Sequence, residues 1–153
     1  MSPPEEKGVQ TRTGQRTSTQ ITEEGFAAWN SGDCERFLAN IHPEIVWKTA
    51  GLFPGLRSEY RGHDGMRKFW DEFQEPWEML HIEAKRIVEP DDSSTLAQVG
   101  FDARGRDGIE VKRDFVNHML IRDDLLYRYR GFADWETALA ELGLEESDLE
   151  PAG

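Results

Sequence analysis

Apolar side chains recur at helical spacing through the first half of the chain and alternate through the second. Over residues 21–31, Phe26, Trp29 and nearby alanines form one stripe, and Gly32 supplies a C-terminal stop. Asp33 is placed to cap a second, short helix running through Ile41, because its carboxylate can take up free backbone N–H groups. His42-Pro43 ends that helix, since proline restricts the residue before it. Residues 44–49 alternate enough for a strand. After a loop at 50–62, His63 or Asp64 is placed to cap a third helix whose Met66, Phe69, Trp70 and Phe73 share one face, and Pro76 closes it.

From Leu80 the period changes to two. Strands are predicted at about 80–88, 95–104, 110–121 and 125–133. Short turns at Pro90-Asp91-Asp92, Gly105–Gly108 and Asp123-Asp124 make them an antiparallel meander. A last helix over 134–142 carries Trp135, Leu139 and Leu142, with Gly143 after it. Helices first and consecutive strands after them give an α+β class. Alternation also sorts the side chains. Ala97, Val99, Phe101 and Ala103 share a face, as do Val111, Arg113, Phe115, Asn117, Met119 and Ile121, and Leu125, Tyr127, Tyr129 and Gly131. This more apolar, odd-numbered face should curl over the helices, and the even-numbered face should meet solvent or a second subunit.

Composition narrows the partners. Residues 1–20 are rich in Ser, Thr, Gln and Pro and read as a disordered tail. Residues 21–143 form the domain, and 144–153 an acidic, frayed tail. The net charge of −12 repels polyanions, which argues against nucleic acid and anionic membrane. No apolar run approaches the roughly 18–20 residues of a membrane span, and residues 1–8 lack the pattern of a signal peptide. The single Cys34 precludes an intrachain disulfide and favours a reducing compartment, so a cytoplasmic location is expected. Its neighbours Asp33 and Glu35 should raise its pKa and dull it as a nucleophile. His42, His63, His81 and His118 show no two-ligand metal spacing, and no metal or redox cofactor is expected. Gly105–Gly108 is a hairpin turn and not a phosphate loop, because no strand-to-helix junction surrounds it.

The order of these elements carries a resemblance. With N-S-G-D at 30–33, H-P-E-I-V-W at 42–47, Y-R-G-H-D-G-M-R-K-F-W at 60–70 and R-D-D-L-L-Y-R-Y-R-G-F-A-D-W at 122–135, residues 20–143 resemble the SnoaL-like branch of the ketosteroid isomerase and nuclear transport factor 2-like superfamily. The resemblance implies a cone-shaped, cystatin-like α+β roll, in which N-terminal helices pack in a curved, mostly antiparallel sheet around one deep apolar pocket. It also implies a homodimer through the sheet's outer face. The superfamily includes isomerases, polyketide cyclases and hydrolases, so the fold leaves the reaction open. Carried over residue by residue, the ketosteroid isomerase general base falls at Thr49 and its oxyanion-hole pair at Gly25 and Asn117. One carboxylate of the epoxide hydrolases falls at Gly131. A cyclase would need a pocket-facing acid or base, and Asp102, Asp114 and His118 face outward in this register.

The remaining candidates each carry two readings. Asn117 can donate to a carbonyl or enolate oxygen without a raised pKa, and Tyr127 or Tyr129 can donate to a ligand or serve as wall with a satisfied hydroxyl. Arg113 can meet an anionic or carbonyl group, or lie at the mouth and reach water along its stem. Asn117, Tyr127 and Tyr129 are thus the catalytic candidates. The ligand-binding set is Trp29, Trp47, Phe69, Phe73, Phe101, Arg113, Phe115, Asn117, Met119 and Tyr129, with about half of Trp29, Trp47, Phe69, Trp70, Phe73 and Trp77 touching a cavity. His42 reads as structural, His63 as a cap and His81 as strand surface. Two function classes follow: a cofactor-independent isomerase-, cyclase- or hydrolase-type enzyme acting on an apolar oxygenated molecule, or a protein that binds such a molecule without transforming it. A dimeric scaffold with a filled cone is a third. A titratable group inside the cavity favours the enzyme; a cavity lined by aromatics and an amide favours the binder.

Overall fold

The computed structural model describes residues 16–51, 53 and 55–149. Helix α1 spans Ser18–Ser31, α2 Cys34–Ala39 and strand β1 Ile41–Lys48; β2 is Glu59–Arg61 and α3 Gly62–Gln74. Four long strands follow, β3 Trp77–Asp91, β4 Ser94–Gly105, β5 Glu110–Arg122 and β6 Leu125–Phe132, and then α4 Trp135–Leu142 and a 3₁₀ turn Glu146–Leu149. All six strands form one sheet in the order β2-β1-β6-β5-β4-β3. Every pairing is antiparallel except β1 with β6, so β1 returns alongside the last strand and brings the first half of the chain to the meander's far edge. The result is the α+β class expected from the pattern and the roll the resemblance implied, a curved sheet wrapped on α1–α3.

Local chemistry sets the element ends. Thr17 and Gln20 form a capping box: Thr17 Oγ1 accepts from the Gln20 backbone N–H at 3.0 Å, and Gln20 Oε1 accepts from the Thr17 N–H at 2.8 Å. Helix α1 therefore starts at Ser18, inside the stretch read as tail, and residues 1–15 of that tail lie outside the described residues. Arg16 is held as well, by Asp124 and by Asn40 Oδ1 at 2.8 Å. Gly32 ends α1 at φ 78°, and Asp33 caps α2 by accepting from the Arg36 N–H at 3.1 Å. His63 is no cap: its Nε2–H donates to the Ile41 carbonyl at 2.7 Å.

Two sequence expectations about β1 and β6 need correction. Helix α2 stops at Ala39, and His42-Pro43 lies within β1. A proline has no N–H for a ladder, and it is accommodated because the β1–β6 register is broken between Ile41 and Val46. The second correction is at Tyr127. Leu120 pairs with Arg128 and Ile121 with Leu126, which leaves Tyr127 as an extra, bulged residue. Strict alternation therefore fails there, and Leu126 enters the core beside Tyr129 while Tyr127 does not. Tyr127 instead packs against His42 at 4.9 Å, and its hydroxyl accepts from Arg122 and Arg128 at 3.0 and 3.2 Å.

The main core lies between the sheet's concave face and α1–α3, with Trp29 at its hub. Phe37, Trp70 and Phe73 meet the Trp29 ring at 5.3, 4.7 and 5.2 Å, the first and last nearly edge-on. A second, smaller core lies on the outer face. Val88, Leu96, Val116 and Phe132 are covered by Ala138 of α4 and by Leu149, which is 1% exposed. The C-terminal stretch read as a frayed tail thus packs through Leu149, because even-numbered Leu96, Val116 and Phe132 leave an apolar patch that needs cover. What remains open on the outer face is largely charged, with Leu120 exposed among it: Lys85 pairs with Asp114 at 3.0 Å, and Lys112 stands 4.0 Å from Asp102.

Candidate functional site

Inside the roll lies a cavity of about 50 Å³. Gly25, Phe26 and Trp29 of α1, Phe37 of α2, and Phe69 and Phe73 of α3 form its helical side. Trp47, Ile82, Phe115, Asn117, Met119, Leu126 and Tyr129 form its sheet side. The volume is small against the ~300–1,000 Å³ of drug-sized ligand pockets. Aromatic rings, four of them on Trp29 alone, have packed into the space.

Polar atoms gather at one place on the wall. Tyr129 is fully buried, and its hydroxyl donates to Asn117 Oδ1 at 2.5 Å. Burial pushes the phenol pKa well up, so at neutral pH Tyr129 is a proton donor and no base. The Tyr129 ring lies flat against Trp47, with centroids 3.8 Å apart and planes 8° apart. The Trp47 indole Nε1–H is buried and has no hydrogen-bond partner. Register explains the grouping: Trp47 stands opposite Tyr129 across the parallel β1–β6 pair, and Asn117 stands on β5 beside Gly131 of β6.

Eight of the ten predicted ligand-binding residues line this cavity: Trp29, Trp47, Phe69, Phe73, Phe115, Asn117, Met119 and Tyr129. Phe101 and Arg113 do not. Phe101 is buried one layer toward the mouth, against Phe53, Phe73 and Trp77. Arg113 is exposed, with its guanidinium 5.1 Å from the Phe53 ring, and is not among the residues lining the cavity. Trp70 packs behind Trp29, and Trp77 on Phe101. Of the catalytic candidates, Tyr127 is removed from the cavity by the bulge, while Asn117 and Tyr129 bond to each other. Gly25, which the resemblance put at an oxyanion-hole position, lines the cavity too, while sequence reasoning missed Phe26, Phe37, Ile82 and Leu126. Phe26 was legible as part of the α1 stripe, but Leu126 was not, because nothing local announces the bulge.

The other carried-over positions lie elsewhere. Thr49 is buried and donates through Oγ1 to the Arg57 carbonyl at 2.6 Å. Asp114 and Asp102 are on the outer face in ion pairs with lysines. His118 is also on that face, between Leu96 and Arg130, and burial holds its pKa below the usual histidine value. The Cys34 thiol is raised, chiefly by its own burial and only secondarily by Glu35, Asp71 and Asp33. No group of three or more His, Cys, Asp or Glu among the described residues is placed to hold a metal ion. No described helix is long and apolar enough to cross a membrane.

Comparison with known proteins agrees with this geometry. The family described as SnoaL-like domain matches residues 22–129. Among solved structures, TerC co-crystallised with polyporic acid is 20% identical, with 82% of this chain and 96% of that one covered at a TM-score of 0.68. A Mycobacterium tuberculosis protein in complex with estradiol-17β-hemisuccinate is 12% identical over 79% and 97%, at 0.69. The Δ5-3-ketosteroid isomerase from Mycobacterium sp. is 17% identical over 76% and 92%, at 0.66. At these identities the likeness is one of fold. No curated protein matches the chain.

Proposed function

The chain belongs to the SnoaL-like domain family, and from that premise we propose that its cavity binds a small, neutral, largely apolar molecule without acting on it by acid–base catalysis. One observation carries the reading: the cavity is walled by aromatic and aliphatic side chains with a single tyrosine–amide pair, and no carboxylate, imidazole or cation is among the residues lining it. Proton abstraction at carbon needs a base within hydrogen-bond reach. The family's base position holds Thr49, whose hydroxyl is committed to the Arg57 carbonyl, and Tyr129 stays protonated. The enzyme reading thus loses its agent while the pocket stays. The neighbours co-crystallised with polyporic acid and with estradiol-17β-hemisuccinate support small-molecule binding in this fold.

Room for a ligand comes from the wall toward the mouth. Phe73 lines both the inner cavity and an outer hollow of about 330 Å³ formed by Phe53, Leu56, Pro76 and Trp77 with Gly55 and Glu72. Phe73 is the one residue the two spaces share, so a ligand in the ~300–1,000 Å³ pocket range would have to displace its ring. A homodimer is proposed with this reading, through the charged strip of β3–β5 that α4 leaves open, as is a cytoplasmic location, which the lone cysteine favours.

The test is native mass spectrometry of gently purified protein, followed by tryptophan-fluorescence titration with whatever mass is retained. A discrete apolar metabolite released intact after prolonged incubation supports binding without turnover. Conversion of that metabolite by wild-type protein would overturn it.

A further inference from the structure

The bulge that turns Tyr127 away from the cavity gathers two cations around it. Arg122 Nη1 and Arg128 Nη2 donate to one atom, the Tyr127 hydroxyl oxygen, at 3.0 and 3.2 Å. Both guanidiniums also lie against the ring, 5.0 and 3.9 Å from its centroid. Most of the other described arginines sit on a carboxylate, but neither of these two has one among the described residues. The adjacent acids are engaged elsewhere. His42 Nδ1 accepts from the Glu44 N–H at 3.0 Å, so its ring proton is on Nε2, which faces Asp123 at 3.3 Å. Asp124 accepts twice from Arg16. Two like charges held on one oxygen repel, and in a chain of net charge −12 no described carboxylate is placed to offset them.

We propose that Arg122, Arg128 and Tyr127 form an anion site apart from the cavity, and that its ligand is a phosphate group. A phenol oxygen that accepts two hydrogen bonds keeps its own proton to donate. An acceptor about 2.7 Å from that oxygen lies, by the sum of the bond lengths, within about 6 Å of both donor nitrogens. The three groups therefore converge on one place. Arg128 is fixed there: its Nη1 donates to the Glu44 and Tyr127 carbonyls at 3.0 and 2.8 Å, beside the break in the β1–β6 register. Bracing the bulge accounts for Arg128, but the Arg122 guanidinium bonds to Tyr127 alone among the described residues. A phosphate carries about −1.5 to −2 charge near pH 7 and several acceptor oxygens, which matches two guanidiniums and a hydroxyl. A carboxylate carries one charge and would leave one guanidinium uncompensated. The chain's acidity does not bar a single phosphate, because at physiological salt charges beyond about 8 Å are largely screened. This site does not depend on the pocket reading.

Inorganic phosphate and phenyl phosphate are the probes, titrated into the full-length protein at about pH 7 and constant ionic strength, with sodium chloride as the control. Binding is followed in ¹⁵N–¹H spectra, where the Arg122 and Arg128 Nε–H resonances are assigned by their loss in Arg122→Gln and Arg128→Gln. The expected result is a saturable shift of both resonances with phosphate and none with chloride. Arg122→Gln should weaken binding about fivefold or more, the worth of one hydrogen bond, and Arg106→Gln should leave it unchanged. Tyr127→Phe should weaken it as well. Tighter binding of phenyl phosphate would support the site and assign a phosphate ester as its form; equal affinities would support it for the bare group. Shifts that grow without saturating, that chloride reproduces, or that survive Arg122→Gln undiminished overturn the proposal. Arg122→Gln serves even where Arg128→Gln does not fold, because Arg122 takes no part in bracing the register break.

Discussion

Tyr129→Phe removes one oxygen from the buried polar contact on the cavity wall and leaves the ring stacked on Trp47. The 2.5 Å bond to Asn117 is lost, and Asn117 Oδ1 is left without its donor on a wall where the residue is only 5% exposed. Stranding a buried acceptor costs about 1–3 kcal/mol, at the lower end where a cavity water replaces the phenol. Asn117→Leu strands the phenol instead, at a similar cost of about 1–3 kcal/mol. The double variant removes both atoms and puts apolar groups of like shape in their place, so it should lose only about 0–1.5 kcal/mol, the net worth of the bond. The two single effects therefore should not add; the coupling should exceed roughly 1 kcal/mol. Urea unfolding followed by far-ultraviolet circular dichroism reads this directly. With a slope of about 2 kcal/mol/M, each single variant moves the midpoint by about 1 M while the double moves it less. Additive losses, or a Tyr129→Phe protein as stable as wild type, would refute the claim that the pair is the polar anchor of the site.

Other expectations follow from single contacts. Gly25→Ala should stabilise the chain by about 0.5–1 kcal/mol, because the site is helical and a methyl meets Leu126 at an ordinary 3.5 Å, while weakening any ligand of the cavity it lines. Thermal melts and fluorescence titration of one sample read both effects, and a destabilised Gly25→Ala would contradict the packing. Leu149→Ala should cost about 2–3 kcal/mol as a cavity in the outer core; an unchanged urea midpoint would restore the frayed tail. Glu72 is held below the usual carboxylate range, first by the Tyr60 hydroxyl at 2.6 Å and then by Arg57. Its folded pKa is depressed, so its contribution is full above the ordinary value of 4.5 and fades as pH falls through the folded one. The urea-midpoint gap between wild type and Glu72→Gln should be widest near neutrality and close in acid; a gap that widens in acid would reverse the assignment. For the proposed dimer, sedimentation velocity should give twice the 17.6 kDa chain mass and fall to one for Asp102→Lys with Asp114→Lys. A monomeric wild type would end that reading.

Much of this molecule was determined by the sequence alone. Spacing placed the helical stripe of Met66, Phe69, Trp70 and Phe73 and the period-two strands after Leu80, because which residues share a face is a local property of the backbone. The same logic put Asn117, Met119 and Tyr129 on the inner face, where they line the cavity. Tertiary structure decided the rest. The bulge at Tyr127 turned one catalytic candidate out and brought Leu126 in, since a slip of one residue reverses every side chain until register is regained. Pro43 joined a strand because the break that accommodates it lies in a pairing with β6, more than eighty residues away. Leu149 is buried by an outer-face patch contributed by four separate strands, which no local window contains. The stranded indole of Trp47 is likewise invisible in sequence. Whether a buried N–H finds an acceptor depends on three strands meeting side by side, and only the folded chain brings them there.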